Sequence, residues 1–350
     1  MTPLTTAALK SFVPFRVFGE ERLKVLLNRC EREYVRKGKV LTEPGRDQSQ
    51  AFFLLSGSIK CGEDSRLIEA DFSYPLHYRC GSRETLTAMT DCSLFRIERE
   101  ALDRLLCWSE SVRYLEQDIA CQKSYDQDQE WMLMLLNSNL FYKVSPINLP
   151  KIFIHLSPRE VKSGEMIIRQ GEGGDYCYFI KQGKALVTRQ LPGEKETARV
   201  AQIGVGQCFG EDALLHETVR NATVTMESDG LLMRIEKRDF LQLLREPAVE
   251  TLSNRELDMV LQTGSLLLDV RTLEEYRYRH LKNALSAPLG TLRLHARVLD
   301  PYASYVVYCD TDRRSRTAAS FLTQQGYRVR ALLGGLNHLP IAHPLLESAL

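Results

Sequence analysis

The sequence predicts a multidomain protein of mixed α+β and α/β class, in which two β-rich segments precede an α/β domain with a mainly parallel sheet. Short apolar runs separated by Gly, Pro and Asp turns begin near Gly38 and again near Gly164, as in strands joined by tight turns. Continuous apolar runs that alternate with helix-like stretches follow residue 255. A chain of 350 residues is long enough for two or three such domains.

The two β-rich segments are related by an internal duplication. The stretch KGKVLTEPG corresponds to KSGEMIIRQG, FFLLSGSIKC to YFIKQGKALV, and SLFRIEREALDRLL to LLMRIEKRDFLQLL. Gly38 and Gly164 are 126 residues apart, whereas Ile97 and Ile235 are 138 apart. The second copy therefore gains 12 residues between these landmarks.

Composition and charge exclude several classes of protein. The chain has 46 basic and 45 acidic side chains, so no basic stripe predicts a DNA partner. Its nine cysteines are scattered and form no CxxC pair, which disfavours a disulfide framework and a metal site and favours a reducing cytoplasm. No apolar run approaches the roughly 20 residues that span a bilayer, and the N-terminus does not resemble a signal peptide. We expect a cytoplasmic protein with no membrane partner.

Helical periodicity marks three further segments. Residues 20–34 have apolar side chains at helical spacing, and residues 105–142 contain neither Pro nor Gly, which predicts connecting helices over residues 111–140. Their apolar side chains either pack against the second β-rich segment or form a homodimer contact, and both interpretations remain open for Trp131, Met132, Met134 and Leu135. A short helix over residues 239–244 and a polar linker over residues 245–256 are expected next.

The stretch FGEDALLHETVRNATV, residues 209–224, carries the first candidate site. Gly210 lets the backbone approach a ligand closely, and the short turn after it would direct unpaired N–H groups at an anion. Arg220 offers a planar cationic fork for the same anion. Glu211 can only accept hydrogen bonds when ionised, and a ribose hydroxyl is a suitable donor. The pattern therefore predicts a nucleotide pocket.

This stretch closely resembles the phosphate-binding cassette of cyclic nucleotide-binding domains, in which Phe-Gly-Glu and a helical turn precede Arg, a small residue, Ala, Thr and Val. The resemblance implies a β-roll, a jelly-roll with flanking helices, over residues 141–247, and a cyclic nucleotide, cAMP or cGMP, as regulatory ligand. Asp212 and Asn221 depart from the common pattern and leave the choice of nucleotide open. The implied binding residues are Phe209, Gly210, Glu211, Ala213, Arg220, Asn221 and Ala222.

The corresponding part of the first β-rich segment lacks this pattern. The sequence FSYPLHYRCGSRETLTAMTD contains no Gly-Glu and no Arg followed by Ala-Thr-Val. We expect residues 1–110 to form a degenerate cyclic-nucleotide-binding-like β-roll that has lost its pocket and serves as a structural or interface domain. In the rival interpretation, Arg79, Arg83 and His77 bind something else.

Cys309 is the second candidate site. It ends an apolar strand and precedes a helix that carries Arg313, Arg314 and Arg316 near its start. The positive end of a helix dipole and nearby cations both favour a thiolate, so the cysteine is a candidate nucleophile. A buried strand-end cysteine beside a solvated basic turn is the alternative.

Residues 255–340 resemble a rhodanese domain. The stretch LLDVRTLEEYRYRHLKNALSAPL is similar to that family's Asp-Val-Arg, Glu-Tyr and His-Ile pattern, and GGLNHLP is similar to its closing Gly-Gly turn. The six residues from Cys309 to Arg314 match the family's active-site loop, usually Cys-x-x-Gly-x-Arg followed by Ser. The resemblance implies that Cys309 accepts a sulfane sulfur as a persulfide and that Arg314 is the cation facing the anionic donor. The other loop residues are Asp310, Thr311, Asp312, Arg313 and Ser315.

The loop departs from the family pattern in its acidic residues. Asp312 replaces Gly at a position expected to need an unusual backbone angle, which Asp tolerates better than most residues. Asp310 and Asp312 add two negative charges to a loop that receives anionic donors, so weak use of thiosulfate or a different sulfur donor is expected. Asp269 and Arg271 are expected to form a structural pair.

Two functions follow from these sites. The first is a cyclic-nucleotide-responsive sulfurtransferase whose partners are a cyclic nucleotide and a small sulfur donor or acceptor. The second is a non-catalytic nucleotide sensor whose rhodanese-like domain, residues 255–350, is an interaction module. A transcription factor is disfavoured because that domain stands where a DNA-binding module would lie. A phosphatase is disfavoured because such Cys-to-Arg loops are generally one residue longer.

Overall fold

The computed structural model describes residues 4–42, 49–62, 66–79, 85–121, 131, 134–135, 146–190, 197–245, 248–339 and 343–348. The chain forms two compact units. One combines Met1–Tyr114 with Val249–Leu350, and the other is Leu115–Ala248. In the described part of the chain, no helix is long and apolar enough to cross a membrane.

The first unit begins with two helices and a β-sandwich, residues 31–98, here called the N-terminal β-domain. Its strands form antiparallel sheets of order β1-β7-β3 and β2-β6-β4-β5. The stacked rings of Phe53 and Phe95, 4.8 Å apart, lie in its core. The elements are α1 Thr6–Lys10, α2 Glu20–Leu27, β1 Glu31–Val35, β2 Val40–Thr42, β3 Gln50–Ser56, β4 Ser58–Cys61, β5 Arg66–Glu69, a 3-10 turn Leu76–Tyr78, β6 Leu86–Ala88 and β7 Cys92–Glu98.

The helix expected over residues 20–34 is shorter than predicted. Helix α2 ends at Leu27, and Glu31–Val35 is a strand that pairs antiparallel with β7. Long-range pairing with β7 decides the conformation here, because local helical periodicity is a weak constraint on a segment that can complete a sheet. The expectation of reduced cysteines also fails at one position, since Cys61 is disulfide-bonded.

The second unit contains a β-sandwich, residues 157–236, here called the second β-domain. Its sheets have the orders β13-β10-β15-β8 and β12-β11-β14-β9. Apart from β13, this is the strand order of the N-terminal β-domain, so the two sandwiches share one topology. The elements are α4 Leu149–His155, β8 Ser157–Val161, β9 Met166–Ile168, β10 Tyr176–Gln182, β11 Ala185–Gln190, β12 Thr197–Ile203, β13 Cys208–Phe209, α5 Glu211–Leu215, β14 Thr223–Met226, β15 Gly230–Glu236 and α6 Lys237–Leu243.

The predicted connecting helices are described only in part. Helix α3 spans Arg99–Cys121. The Trp131 indole N–H donates to the Ile180 carbonyl oxygen at 3.1 Å, and Leu135 is buried, which favours core packing for these two side chains. Met134 is partly exposed. Met132 and most of residues 122–145 lie outside the described residues, so the predicted homodimer contact stays a prediction.

The first unit also contains an α/β domain, residues 251–348. Its sheet has the order β16-β21-β20-β17-β19, and every neighbouring pair is parallel, which agrees with the apolar runs LLLDV and YVVYC. Two short strands, β18 and β22, pair antiparallel beside it. The elements are β16 Thr251–Leu252, α7 Asn254–Gln262, β17 Leu266–Asp269, α8 Leu273–Tyr278, β18 Arg279–Leu281, β19 Leu285–Ser286, α9 Leu292–Ala296, β20 Ser304–Tyr308, α10 Arg313–Gln324, β21 Arg328–Leu332, a 3-10 turn Gly335–His338 and β22 Leu346–Ser348.

The expected linker over residues 245–256 is shorter than predicted. Thr251–Leu252 already pairs with β21 as the edge strand of the sheet, and Leu252 is buried. Helix α7 follows at once with a capping box in which Ser253 and Glu256 satisfy each other's backbone N–H groups. The polar residues of this segment therefore cap helix α7 and do not form a flexible linker.

Candidate functional site

The stretch 209–224 forms a turn, a short helix and the start of a strand. Gly210 has φ of 86° and precedes α5, so the chain turns in the left-handed region where glycine carries no steric cost. A Cβ at Gly210 would lie 2.6 Å from Arg220 Nη1 and 2.8 Å from Ile168 Cδ1. Glycine is therefore required twice, for the backbone angle and for the approach of Arg220.

The Arg220 side chain is fixed against the backbone beneath the turn. It is only 6% exposed, and its Nη1 donates to the Gly210 carbonyl oxygen while Nη2 donates to the Tyr176 carbonyl oxygen at 2.7 Å. Burial lowers the pKa of this guanidinium, although it remains a cation at any physiological pH. The arrangement places a preorganised positive charge beside the turn.

The structure brings all seven predicted nucleotide-binding residues around one cavity of about 160 Å³. The two departures from the family pattern touch each other there, since Asn221 Nδ2 donates to Asp212 Oδ2 at 3.4 Å. Three aliphatic side chains that the sequence analysis did not select, Ile168, Val187 and Ile203, complete the wall. They come from three separate strands, so only the strand pairing reveals them.

Cys309 lies directly after β20, at the start of the loop that leads into α10. Its Sγ donates to Ser315 Oγ at 3.6 Å, and Ser315 in turn donates to the Asp312 carbonyl oxygen at 2.9 Å. The backbone N–H groups of Leu336 and Asn337 donate to the carbonyl oxygens of Cys309 and Asp310, each at 2.9 Å. The closing Gly-Gly turn therefore holds the loop from the other side.

The surroundings of Cys309 do not favour the thiolate that the sequence predicts. Burial, together with the nearby Asp103 carboxylate, raises the pKa of the Cys309 thiol to about 11. Arg314 and the Ser315 backbone N–H act in the opposite direction but do not compensate. The sequence placed the cations near Cys309 correctly and could not place the carboxylate or the burial, which come from elsewhere in the chain.

Asp310 does not act as a free negative charge in the loop. Its Oδ1 lies 3.1 Å from Arg271 Nη1 and 3.6 Å from Arg279 Nη2, and its Oδ2 lies 3.6 Å from Arg314 Nη2. Although burial opposes its ionisation, Arg271 and then the other two arginines hold the pKa of this carboxyl well below its usual range. Arg271 also forms the expected pair with Asp269, at 2.6 Å and fully buried.

Arg314 binds carboxylates in this structure. Its Nη1 and Nη2 donate to Glu275 at 2.8 Å each, and its Nε lies 3.6 Å from Asp103 Oδ1. Its predicted role as the cation for an anionic donor stays a prediction. Asp312, the residue before α10, has φ of −179° and ψ of −4°, so it does not adopt the positive φ that glycine favours.

Several loop contacts come from the N-terminal half of the chain. Thr311 Oγ1 donates to Asp103 Oδ2 at 2.5 Å, and Arg313 Nη2 donates to Glu100 Oε1 at 3.3 Å. The Tyr78 hydroxyl contacts Asp310 and Glu275. These partners are more than 190 residues apart in sequence, and no local pattern marks them. Within the described residues, no group of His, Cys, Asp and Glu is arranged to hold a metal.

Comparison with known families assigns the second and third domains. The sequence model described as "Cyclic nucleotide-binding domain" matches residues 158–246, which include the turn at Gly210 and Arg220. The model described as "Rhodanese-like domain" matches residues 253–339, which include the Cys309 loop. The chain contains a cyclic nucleotide-binding domain followed by a rhodanese-like domain.

Curated relatives include cGMP-dependent protein kinases and a cAMP-dependent protein kinase regulatory subunit. The cGMP-dependent protein kinase egl-4 of Caenorhabditis elegans is 23% identical over 65% of this chain and 28% of the kinase. A cGMP-dependent protein kinase of Drosophila melanogaster, isozyme 2 forms cD5/T2, is 29% identical over 48% of this chain and 17% of the kinase. The cAMP-dependent protein kinase regulatory subunit of Dictyostelium discoideum is 26% identical over 67% of this chain and 72% of that subunit. The chain thus spans less than a third of the two kinases.

Solved structures include similar chains. The regulatory domain of Toxoplasma gondii PKA, crystallised with cAMP, is 18% identical over 74% of this chain and 94% of that chain, with a TM-score of 0.31. The catabolite activator protein of Thermus thermophilus is 27% identical over 36% of this chain and 55% of that chain, with a TM-score of 0.28.

Proposed function

We propose that the protein is a cyclic-nucleotide-responsive sulfurtransferase, in which nucleotide binding to the second β-domain regulates sulfur transfer at Cys309. The observation that carries the catalytic part is the position of the Cys309 thiol, between the end of a central parallel strand and the start of α10, in a domain that matches the rhodanese-like family. The backbone N–H of Ser315 contacts the sulfur and would donate to a sulfur anion formed there.

The proposed reaction has two steps. The Cys309 thiolate attacks the outer sulfur of a donor such as thiosulfate, the donor's S–S bond breaks, and sulfite leaves with the electron pair. A nucleophilic acceptor such as cyanide then attacks the terminal sulfur of the persulfide. The second S–S bond breaks, thiocyanate leaves, and the electron pair returns to Cys309 as thiolate.

Thiocyanate release tests the catalytic part. Protein is incubated with cyanide and either thiosulfate or mercaptopyruvate, with Cys309→Ser as the control. We expect release from the wild type with at least one donor and none from the variant above the uncatalysed rate. Equal release from both proteins overturns the proposal. Cys177→Ser, which removes a buried thiol of the other unit, should leave release unchanged.

One observation favours a second function, a non-catalytic nucleotide sensor whose rhodanese-like domain is an interaction module. Cys309 is 0% exposed, and its pKa is raised to about 11, so neither donor access nor thiolate formation is favoured in this arrangement. The same assay separates the two functions. Absence of thiocyanate release with every donor, in both the presence and absence of cyclic nucleotide, supports the sensor.

The proposed regulatory ligand is a cyclic nucleotide, cAMP or cGMP. Arg220 and the backbone after Gly210 would hold the cyclic phosphate, and Glu211 would accept a hydrogen bond from the ribose 2′-hydroxyl. The aliphatic wall of Ile168, Val187 and Ile203 offers an apolar surface for the rest of the nucleotide. The names of the aligned relatives, cGMP-dependent kinases and a cAMP-dependent kinase regulatory subunit, support this ligand class.

Calorimetry with cAMP and with cGMP tests the ligand. Charge-assisted contacts contribute roughly 1.5 to 3 kcal/mol each, so Arg220→Ala and Glu211→Ala should each weaken binding about tenfold or more. Arg199→Ala is the matched control, because this arginine lies on the same β-domain, is exposed and pairs with Glu227 away from the cavity. Unchanged affinity in both site variants removes the assignment.

We further propose that the N-terminal β-domain is a degenerate member of the same class as the second. Its support is the shared strand order, together with the 3-10 turn Leu76–Tyr78 in the interval where the second β-domain has α5. One nucleotide per chain is therefore expected, and the stoichiometry of the calorimetric titration checks it.

Regulation requires that the nucleotide bind two states of the protein with different affinity. Thiocyanate release with and without saturating nucleotide measures this difference, and Arg220→Ala should abolish it. A cytoplasmic location, a homodimer through residues 111–140 and the absence of DNA and membrane partners stay predictions.

A further inference from the structure

The Cys309 loop is covered by segments from the N-terminal half of the chain. Cys309, Arg314 and Ser315 are all buried. The segments that reach the loop are the 3-10 turn Leu76–Tyr78 of the N-terminal β-domain and the first half of α3. All of these residues belong to the same compact unit, so the contacts are part of one folded body.

The Tyr78 hydroxyl lies between two carboxylates of the rhodanese-like domain. It contacts Asp310 Oδ2, and it lies 3.2 Å from Glu275 Oε1. A phenol has a single proton to donate, so the two acids share one donor. Burial, followed by the charges of Asp310 and Glu275, raises the pKa of Tyr78 well above its usual value and keeps this donor protonated. The Arg279 guanidinium, 4.6 Å from the centre of the Tyr78 ring, adds a cation–π contact.

Helix α3 contacts the loop along one face. Glu100, Asp103 and Cys107 are spaced three and four residues apart, which places them on one side of a helix. Glu100 pairs with Arg313, Asp103 accepts from Thr311, and Cys107 Sγ lies 3.3 Å from Thr317 Oγ1. The helix therefore follows the loop into the first turns of α10.

The space between these segments and the loop does not reach the Cys309 sulfur. The cavity measures about 40 Å³ and is lined by groups that include Tyr78, Asp103, Glu275, Asp310 and Arg314. Cys309 and Ser315 are not among its lining residues, so this cavity gives no access to the sulfur. Its lining carries three carboxylates, Asp103, Glu275 and Asp310, together with two arginines, Arg99 and Arg314.

We propose that the turn Leu76–Tyr78 and α3 form an intramolecular cap that closes the Cys309 site, with Tyr78 as the contact that holds the turn in place. The turn lies between β5 and β6, the interval that corresponds to the nucleotide-binding stretch of the second β-domain. In the N-terminal β-domain this interval instead covers the rhodanese-like domain. Access to Cys309 requires the cap to open. The cap concerns access to the thiol, and its link to sulfur transfer rests on the proposed function.

Alkylation of Cys309 by iodoacetamide, followed by peptide mass spectrometry of the full-length protein, tests the cap. In the wild type, Cys309 should react at least tenfold more slowly than in the urea-unfolded chain at the same pH. Tyr78→Phe removes the hydroxyl and keeps the ring, so it should raise the rate several-fold.

Two controls separate cap opening from unfolding. Tyr74→Phe alters a tyrosine that stacks in the same aromatic group at 6.1 Å from Tyr78, and it should leave the rate at Cys309 unchanged. Cys177, buried in the other unit, reports global unfolding within the same sample. The proposal is overturned if wild-type Cys309 reacts as fast as the unfolded chain, if Tyr78→Phe behaves like Tyr74→Phe, or if Cys177 gains reactivity in parallel with Cys309.

This measurement does not depend on catalysis. If thiocyanate release is absent but Tyr78→Phe exposes Cys309 selectively, the sulfurtransferase function fails and the cap stands. If release is observed and Cys309 is freely alkylated in the wild type, the cap fails and the function stands.

Discussion

Arg314 and Glu275 form a bidentate ion pair that is almost completely removed from water. Both terminal nitrogens of the arginine donate to the two carboxylate oxygens at 2.8 Å, and each side chain is 1% exposed. Glu275 also accepts from the Thr272 backbone N–H and hydroxyl, each at 2.8 Å, so the same carboxylate caps α8. The pair therefore connects the helix after the Cys309 loop to the helix that follows β17.

The first prediction concerns this pair. Glu275→Gln removes the charge that faces Arg314 and leaves a buried cation only partly compensated by Asp103 and Asp310. Breaking a buried pair in this way costs about 3 to 5 kcal/mol, so the free energy of unfolding in urea should fall by that amount. The matched control is Glu274→Gln at the preceding position. Glu274 is 39% exposed and pairs with Arg16 at 3.4 Å, so it should cost less than about 1 kcal/mol. Equal losses would contradict the assignment.

The second prediction concerns Glu110 of α3, a buried carboxylate close to the same pair. Within the described residues its Oε2 receives no hydrogen bond. Burial raises its pKa to about 7, with Glu275 acting in the same direction and Arg314, Arg113 and the Gly290 N–H opposing. An acid with a raised pKa in the folded state stabilises the fold when it is protonated. This contribution is complete below the unfolded value of 4.5 and is lost as the pH rises to about 7.

Glu110→Gln should therefore be more stable than the wild type at pH 8, by up to about 3 kcal/mol, because it mimics the neutral acid at every pH. The difference should shrink as the pH falls toward 4.5. Thermal unfolding of both proteins from pH 5 to 8 measures it. A stability difference that does not change with pH would show that Glu110 keeps an ordinary pKa in the folded protein.

The sequence predicts the elements that depend on local pattern. The parallel strands around LLLD and YVVY, the turn at Gly210 and the loop after Cys309 are all marked by residues adjacent in the chain. The environment of the thiol was not predictable in this way. Asp103 and Tyr78 reach the loop across more than 190 residues. Burial of the thiol and the charge of Asp103 reverse the direction in which the pKa of Cys309 was expected to move.

The shortened helix at Leu27 and the strand at Thr251 have the same origin. Apolar spacing predicts a helix through residue 34, and polar residues predict a linker through residue 256. Each segment is instead fixed by hydrogen bonds to a distant strand, β7 in one case and β21 in the other. Strand pairing of this kind depends on which sheet edges the rest of the fold leaves unpaired. No local sequence pattern shows which edges these are.

The third prediction concerns Gly335 in the closing turn of the rhodanese-like domain. A Cβ there would lie 2.2 Å from the Cys309 carbonyl oxygen and 2.7 Å from that of Thr311, at φ of 55°. These are backbone atoms of the Cys309 loop, so Gly335→Ala must displace the loop. We expect a loss of more than about 2 kcal/mol in unfolding free energy and at least a tenfold loss of thiocyanate release.

Gly264→Ala is the control, because Gly264 also has positive φ but has nothing within 4 Å of its Cβ position. The Gly264→Ala variant should lose about 1 to 2 kcal/mol of unfolding free energy from backbone strain and leave thiocyanate release unchanged.

The fourth prediction uses the same comparison in the cyclic nucleotide-binding domain. Gly210 and Gly164 have nearly equal φ, 86° and 82°, but only Gly210 would place a Cβ against Arg220 and Ile168. Both alanine variants should lose about 1 to 2 kcal/mol of stability from the left-handed backbone. Only Gly210→Ala should also weaken cyclic nucleotide binding, by about tenfold or more, because it displaces the guanidinium from the cavity. Calorimetry at a temperature where both variants are folded separates the two effects. If Gly164→Ala weakens binding as much as Gly210→Ala, backbone strain alone accounts for the loss and the position of Arg220 does not.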